Sequence, residues 1–164
     1  MPNALYCANG HYIGIVLPNR FQIGPNDRQI LMRGEDSFPQ KFQPFCTECG
    51  DKNISACHNC RTNIVPDGIR PSYCGGCGKP FPWTERALVA ANDYTNEIDG
   101  LSNEDKIALK GTFIELTINT PQSAVAATRF KRIVKTIAPA GRDVLTKIIV
   151  DVASQAAKAA MGLQ

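Results

Sequence analysis

FCTECGDKNISACHNC, residues 45–60, decides the fold because it places four cysteines in two closely spaced Cys-x-x-Cys pairs. The chain contains three such pairs: Cys46 with Cys49, Cys57 with Cys60, and Cys74 with Cys77. A Cys-x-x-Cys turn holds two thiolates on one side of a tight loop, and two turns complete a tetrahedral zinc site. Three pairs therefore supply one complete site and half of a second.

The missing ligands must come from the few remaining Cys and His side chains, which are Cys7, His11 and His58. His58 lies inside its own Cys-x-x-Cys pair, so we predict that it faces solvent or lies beside the metal rather than binding it. Cys7 and His11 flank the Asn-Gly of CANGH, a turn suited to carrying two ligands. Seven cysteines and one histidine then make eight ligands, enough for two zinc ions.

Two pairings of these ligands are open. In the consecutive pairing, Cys7, His11, Cys46 and Cys49 form one site, and Cys57, Cys60, Cys74 and Cys77 form the other. In the interleaved pairing, the first and third pairs share one metal, as in a RING-like cross-brace. The spacing favours the consecutive arrangement, which corresponds to tandem zinc ribbons.

Composition and charge are those of an ordinary soluble protein of 164 residues, with 43% hydrophobic residues and a net charge of +3. The N-terminus lacks the pattern of a signal peptide, and no apolar run is long enough to span a membrane. We therefore predict a cytoplasmic protein. In that reducing compartment the cysteines would be metal ligands, and their odd number also argues against a disulfide framework.

The chain changes character near residue 83, which predicts two domains and a small α+β fold. Residues 1–83 contain all seven cysteines and nine of the eleven prolines, and should form tandem zinc ribbons. Four short runs in this part have the character of β-strands: HYIGIV, RQILMR, NISA and TNIV.

Residues 84–164 predict a helical module of about four helices. We expect helix starts at Thr84, at Ser102 and at Thr120 with Pro121. The third helix carries Val125 among its apolar residues. The Pro-Ala-Gly at 139–141 should break it, and a last helix should then run from about Arg142 to Met161.

Several longer stretches resemble a family of uncharacterised bacterial proteins, a domain of unknown function. The resemblance covers Tyr6 to about Ala153 and rests on YCANGH, FCTECG, ISACHNC, PSYCGGCGKPFPWTERAL and TPQSAVAATRFKRIV. His58 stands where that family usually has proline, a departure that leaves the ligands unaffected. The resemblance implies zinc ribbons and a helical tail, but it brings no established activity.

The residues argue against an enzyme, because two zinc ions with four protein ligands each have no open position for a catalytic water. We predict a non-enzymatic zinc-binding adaptor that binds a protein partner. Self-association through the last helix is one form of this, since Ala153 with Ala157 and Ala156 with Ala160 would allow close helix packing. The main alternative is a nucleic-acid-binding protein, and a further alternative is a RING-like ligase scaffold, which requires the interleaved pairing.

Charge is distributed unevenly along the helical half. Residues 87–128 have a net charge of −4 and residues 129–164 a net charge of +5. Four basic residues form a cluster that we expect to bind a partner or to pair with the acidic helices: Arg129, Lys131, Arg132 and Lys135. Near the cysteines, Arg61, Arg70, Lys79 and Arg86 alternate with Tyr73, Phe81 and Trp83, a pattern that also suits nucleic acid.

Overall fold

A small antiparallel sheet carries the first two ligand candidates in its hairpin turn. The computed structural model describes residues 2–16 and 43–162. In it, strand β1 (Asn3–Cys7) lies between β2 (Tyr12–Val16) and β3 (Asn53–Ile54), and both neighbours are antiparallel to it. The register shifts by one residue between Leu5 and Tyr6, immediately before the turn.

The strand predictions were only partly correct. HYIGIV forms β2 and NISA contributes the short β3, but TNIV forms no strand beyond a single bridge from Asn63 to Ala56. RQILMR, residues 28–33, lies outside the described residues. The central strand β1 was not predicted. Its sequence NALYC is short, and its last residue, Cys7, was interpreted as a metal ligand in a turn.

Among residues 2–16 and 43–79, the described residues of the N-terminal part, the apolar core is small. Its buried side chains come mainly from β1, where Ala4, Leu5, Tyr6 and Cys7 are buried, and from Ile64, whose carbonyl accepts a hydrogen bond from the Ala4 amide at 2.8 Å. Few large apolar side chains of these described residues contribute to it. A unit of this kind needs cross-links other than hydrophobic packing to be stable, and structural metal ions are the usual ones in small domains.

Contacts divide the chain into two compact units, Met1–Lys79 and Pro80–Gln164. The second unit consists of five helices: α1 (Pro82–Glu97), α2 (Asn103–Thr117), α3 (Pro121–Val134), α4 (Pro139–Val152) and α5 (Gln155–Met161). Helix α2 packs against α1 and α3, α3 also packs against α5, and α1 against α4. The small α+β fold with a helical C-terminal part is therefore confirmed.

Helix starts follow the positions of proline and of capping side chains. Ser102 caps α2 as predicted, because its side chain accepts a hydrogen bond from the Asp105 amide. Helix α3 has Thr120 at the N-cap position and proline in its first turn, as predicted. Helix α1 begins earlier than predicted: Phe81 is its N-cap, Pro82 occupies the first helical position, and Thr84 is buried within the first turn.

The predicted last helix was wrong in both its start and its continuity. Helix α4 begins at Pro139, because proline in a first turn starts a helix rather than breaking it. It ends at Val152, and Ala153 is extended. Ser154 then caps α5 by accepting a hydrogen bond from the Ala157 amide, while its own amide donates to the Leu116 carbonyl at 2.8 Å. Five helices therefore replace the four expected.

The helical unit has a continuous core of large apolar side chains. Its largest fully or almost fully buried members are Leu109, Phe113, Leu116, Phe130, Leu145 and Ile149. The two phenylalanine rings meet edge to face, with centroids 6.4 Å apart. No helix within the described residues is long and apolar enough to cross a membrane.

One predicted core position of α3 lies at the surface instead. Val125 was expected on the apolar face of the helix, but its side chain is exposed. Its neighbours Ala126 and Ala127 are buried. The side of α3 that faces the core is therefore rotated around the helix axis relative to the side that the apolar pattern predicted.

Candidate metal centres

The three Cys-x-x-Cys turns share one backbone conformation. In each turn the amide of the first cysteine donates to the carbonyl five residues later, and the amide four residues later donates back to the carbonyl of that cysteine. The first set of bonds is Cys46 to Asp51, Cys57 to Thr62 and Cys74 to Lys79; the second is Gly50 to Cys46, Arg61 to Cys57 and Gly78 to Cys74. All six N···O distances are between 2.7 and 2.9 Å. This conformation orients the two thiols of each pair toward a common point, as a metal site requires.

The hairpin turn between β1 and β2 is a shorter version of the same arrangement. The Cys7 amide donates to the His11 carbonyl at 3.0 Å, and the Gly10 amide donates to the Cys7 carbonyl at 2.8 Å. Gly10 has a φ of +86°, and a Cβ there would lie 2.2 Å from the Arg70 guanidinium. Glycine suits this position because the backbone is left-handed, and any side chain here would have to displace the Arg70 guanidinium.

The first cluster joins this hairpin to the first Cys-x-x-Cys turn. Cys7, His11, Cys46 and Cys49 each offer one donor atom, and all four atoms lie within 4.8 Å of one another. Cys7 Sγ is 3.4 Å from His11 Nδ1 and 3.7 Å from Cys49 Sγ, while Cys46 Sγ is 3.6 Å from His11 Nδ1. Nδ1 is therefore the imidazole nitrogen that faces the centre of the cluster.

The second cluster joins the remaining two turns. Cys57, Cys60, Cys74 and Cys77 also have their sulfur atoms within 4.8 Å of one another. Cys57 Sγ lies 3.8 Å from Cys77 Sγ, and Cys60 Sγ lies 3.5 Å from Cys74 Sγ. None of the seven cysteines, all within the described residues, forms a disulfide.

The structure thus groups consecutive pairs and not interleaved ones. A RING-like cross-brace would require the first and third pairs to share a centre, whereas the donors of the first and second pairs meet here. The ligase-scaffold alternative required the interleaved pairing, which differs from the grouping of these donors.

The spacing of the donors matches that of a tetrahedral metal site. With a zinc–sulfur distance of about 2.3 Å and a zinc–nitrogen distance of about 2.0–2.1 Å, tetrahedral angles place two sulfurs about 3.8 Å apart and a sulfur and a nitrogen about 3.6 Å apart. Three of the sulfur–sulfur pairs lie 3.5–3.8 Å apart and two sulfur–nitrogen pairs lie 3.4 and 3.6 Å apart, and all donors of a cluster lie within 4.8 Å of one another. Each cluster is therefore suited to hold one metal ion with four protein ligands.

Burial distinguishes the two cysteines of each turn. Cys46, Cys57 and Cys74 are buried, whereas Cys49 and Cys60 are exposed and Cys77 is intermediate. Burial raises the pKa of the Cys74 thiol, and likewise that of Cys7 in the hairpin. A metal ion would have to displace protons from these buried thiols, which makes its binding dependent on pH.

Hydrogen bonding has the opposite effect on two exposed thiols. The side chain of Asn9 is the largest influence that lowers the pKa of Cys49, to about 6. Cys60 Sγ lies 3.1 Å from Thr62 Oγ1, and hydrogen bonding with the side chain of Thr62 is the largest influence that lowers the pKa of Cys60, to about 6. Each cluster therefore has one thiol that is predisposed to the thiolate form, which is the form that binds metals.

The two histidines have different positions. His11 Nε2, on the side of the ring away from the cluster, lies 3.6 Å from a carboxylate oxygen of Glu48. A metal-binding histidine commonly donates its second N–H to such a carboxylate, which fixes the ring and its tautomer. Hydrogen bonding to Cys46 is the main cause that raises the pKa of His11. His58 belongs to neither group and is exposed, in agreement with its predicted place outside the ligand set.

Two residues that lie beside ligand candidates in the structure were not predicted from the sequence. Glu48 lies between the cysteines of the first turn, where a carboxylate can reach a histidine ligand. Thr62 lies two residues after Cys60, at hydrogen-bonding distance from its sulfur. Both lie in or next to a Cys-x-x-Cys turn, so searching these turns for polar side chains would have found them.

Three of the residues near the cysteines whose pattern also suited nucleic acid have contacts within their own part of the chain. Arg70 donates from Nη1 to the Gly10 carbonyl at 3.0 Å, so its side chain braces the hairpin turn. Phe81 and Trp83 stack on each other with ring centroids 4.7 Å apart, and both are buried. Buried rings cannot stack on bases.

The basic cluster of the helical unit, in contrast, is fully at the surface. Arg129, Lys131, Arg132 and Lys135 are all exposed, and none forms an ion pair with an acidic side chain of residues 2–16 or 43–162. The expected pairing with the acidic helices is therefore not seen in this part of the chain. Ala153 and Ala157 are buried in the core of the helical unit, so that pair of small residues packs against its own chain.

The fold and the two clusters define a small α+β protein with two sites suited to metal ions. The chain belongs to the bacterial family described as "Uncharacterized protein conserved in bacteria (DUF2321)", whose family model matches residues 3–161. This confirms the resemblance to an uncharacterised bacterial family. Comparisons with curated proteins and with solved structures found no match.

Proposed function

We propose that this chain is a non-enzymatic, cytoplasmic adaptor in which two zinc ions stabilise the N-terminal unit and the helical unit binds a protein partner. The observation that supports the metal role is the pair of four-donor clusters with tetrahedral spacing. Four protein ligands fill the coordination of a structural zinc and leave no position for a reactive water. The metals would therefore act in folding rather than in catalysis.

Zinc fits the donors better than the harder divalent cations. Three thiolates with one imidazole, and four thiolates, are soft ligand sets that favour zinc or iron over magnesium, calcium and manganese. The carboxylate of Glu48 beside His11 is also a common feature around zinc-bound histidine. Purified protein should therefore contain zinc, and cobalt substitution should give the absorption spectrum of tetrahedral thiolate ligation.

The partner surface that we propose is the outer face of α3, defined by Arg129, Lys131, Arg132 and Lys135. The sequence from Leu116 to Arg142 contains no Asp or Glu, so no acidic neighbour along the chain neutralises this face. A concentrated positive surface accelerates and selects association with a complementary negative one. The chemistry that fits is a protein partner with an acidic surface.

Nucleic acid is the second candidate, because the same four exposed cations could contact phosphates. Phosphate contacts dominate the affinity of nucleic-acid-binding proteins, and their number sets the salt dependence. A net charge of +3 for the whole chain is modest for that role. Both candidates use one surface, so a single variant can separate them.

The test replaces Arg129, Lys131, Arg132 and Lys135 together with alanine in the full chain. Protein isolated from its native host should carry a stoichiometric, nuclease-resistant partner that the fourfold variant loses and that Lys147→Ala, an exposed lysine on α4, retains. If nucleic acid binds instead, the salt dependence of affinity should fall by up to about 0.9 per lost phosphate contact. Submicromolar nucleic-acid binding at physiological salt, abolished by the four changes, would overturn the protein-partner proposal.

A further inference from the structure

Helix α2 has apolar side chains on two opposite sides. Leu109, Phe113 and Leu116 point into the core of the helical unit and are fully buried. On the opposite side lie Ile107, Gly111, Ile114 and, at the C-cap, Ile118, which we call the outer stripe. Its isoleucines are 72%, 58% and 38% exposed, in chain order. A contiguous row of exposed apolar side chains on the solvent side of a helix indicates an interaction surface.

The spacing of the outer stripe is that of a helix–helix seam. Its members follow one another at intervals of four, three and four residues, which is the alternation of the d and a positions in a heptad repeat. Such a row stays on one side of a helix and can face a second helix along its length.

Gly111, in the middle of the stripe, has open space beside its Cα among the described residues. A Cβ at this position would meet no heavy atom within 4 Å, so the fold leaves room for a side chain. Glycine inside a helix is less favourable than alanine, and its backbone here is ordinary helix that needs no glycine. A glycine in a seam does, however, allow the backbone of a neighbouring helix to approach closely.

Charges beside the stripe are arranged for pairing with an identical helix. Lys110 precedes Gly111 and Glu115 follows Ile114, so the two lie on opposite flanks of the stripe, at heptad positions g and e. In two parallel helices, position g of one faces position e of the other, five residues later. Lys110 of one copy would therefore face Glu115 of the other, and the two-fold symmetry would form this pair twice. Antiparallel helices would place like charges together instead.

The geometry points to a second copy of this chain as the occupant of the outer stripe, with α2 of each copy packed in parallel about a two-fold axis. The surface is self-complementary, as an isologous interface must be. Each isoleucine meets its counterpart, and Gly111 meets Gly111 at the closest approach. Lys110 also donates to the Asn96 side chain of its own chain, and its ammonium group has further N–H donors for Glu115 of the second copy. The dimer does not require the metal centres or the basic face of α3.

Sedimentation of the full chain across a wide concentration range tests this inference. Wild type should dimerise, and Ile114→Lys should raise the dimer dissociation constant at least about a hundredfold, because each dimer carries the change twice. Val89→Lys is the matched control, since Val89 on α1 is also 58% exposed and lies outside the stripe. Both variants should keep the metal content and melting temperature of the monomer. A wild type that is monomeric throughout, or a dimer lost equally in both variants, would overturn the inference.

Two further variants test the close approach and the parallel direction. Gly111→Ala should raise the melting temperature of the monomer, because alanine favours helix, yet weaken the dimer, because its methyl groups separate the two backbones. Lys110→Glu and Glu115→Lys should each raise the dissociation constant about tenfold, and the double swap should restore it. A tighter dimer in Gly111→Ala, or a double swap that fails to restore association, would refute this packing.

Discussion

Arg61→Gly should tighten zinc binding at the second cluster. The residue after the second cysteine of each Cys-x-x-Cys turn has a left-handed backbone, with a φ of +71° at Gly50, +65° at Arg61 and +70° at Gly78. Arg61 is the only non-glycine residue with positive φ among the described residues. Its amide donates to the Cys57 carbonyl, and its exposed side chain forms no hydrogen bond or ion pair in the described part of the chain.

The expected gain follows from two opposing contributions. A non-glycine residue in the left-handed helical conformation costs roughly 1–2 kcal/mol, which glycine would relieve. Glycine also gives the unfolded chain more freedom, which offsets about 0.5–1 kcal/mol of that gain. The midpoints of these two ranges give a net stabilisation of about 0.75 kcal/mol. Because metal binding and folding are coupled in small zinc domains, it should appear as a zinc affinity about twofold to fivefold higher.

Competition with a chelator at fixed pH measures this affinity, and Gly78→Ala provides the control in the same cluster. A Cβ at Gly78 would meet nothing within 4 Å, so this change tests backbone conformation alone and should weaken zinc binding by a similar factor. The first cluster, unchanged in both variants, is the internal reference. Unchanged or weaker zinc binding in Arg61→Gly, together with the expected loss in Gly78→Ala, would refute the reasoning.

Other predictions concern the ligands, the helical core and pH. Cys74→Ser should abolish the cooperative thermal unfolding of the N-terminal unit, because structural zinc contributes on the order of 10 kcal/mol, whereas Lys79→Ala should leave its melting temperature unchanged. Phe113→Ala should cost the helical unit about 3–5 kcal/mol in chemical denaturation while the zinc content stays the same. Lowering the pH should release zinc, monitored with a zinc-sensitive dye, because protons compete for the thiolates and for His11; release that is independent of pH would contradict thiolate ligation.

The ligand candidates could be predicted from the sequence because the ligands of such sites occur in pairs separated by only a few residues. A Cys-x-x-Cys turn is local, so its shape depends on a few neighbouring residues, and counting donors then identified Cys7 and His11 as candidates for the remaining positions. The structure brings these same eight residues into two groups. Helix starts at Ser102 and Thr120 were equally local, since capping depends on residues within one turn.

Features that depend on distant contacts were not predicted. The break between α4 and α5 is fixed partly by the Ser154 amide, which donates to Leu116 on α2, a residue far away in the sequence. The bracing of Gly10 by Arg70 likewise joins residues that are 60 positions apart. Val125 has the apolar character of a core residue, but the packing of neighbouring helices, rather than its own pattern, determines that it is exposed.

The central proposal is that the chain holds two zinc ions, each with four protein ligands. The most direct measurement combines the metal content of the purified full chain with zinc X-ray absorption spectroscopy. The account predicts two zinc ions per chain, one with four sulfur ligands at about 2.3 Å and one with three sulfurs and one histidine nitrogen. One zinc per chain, or a zinc that carries a water oxygen in place of a protein ligand, would contradict it.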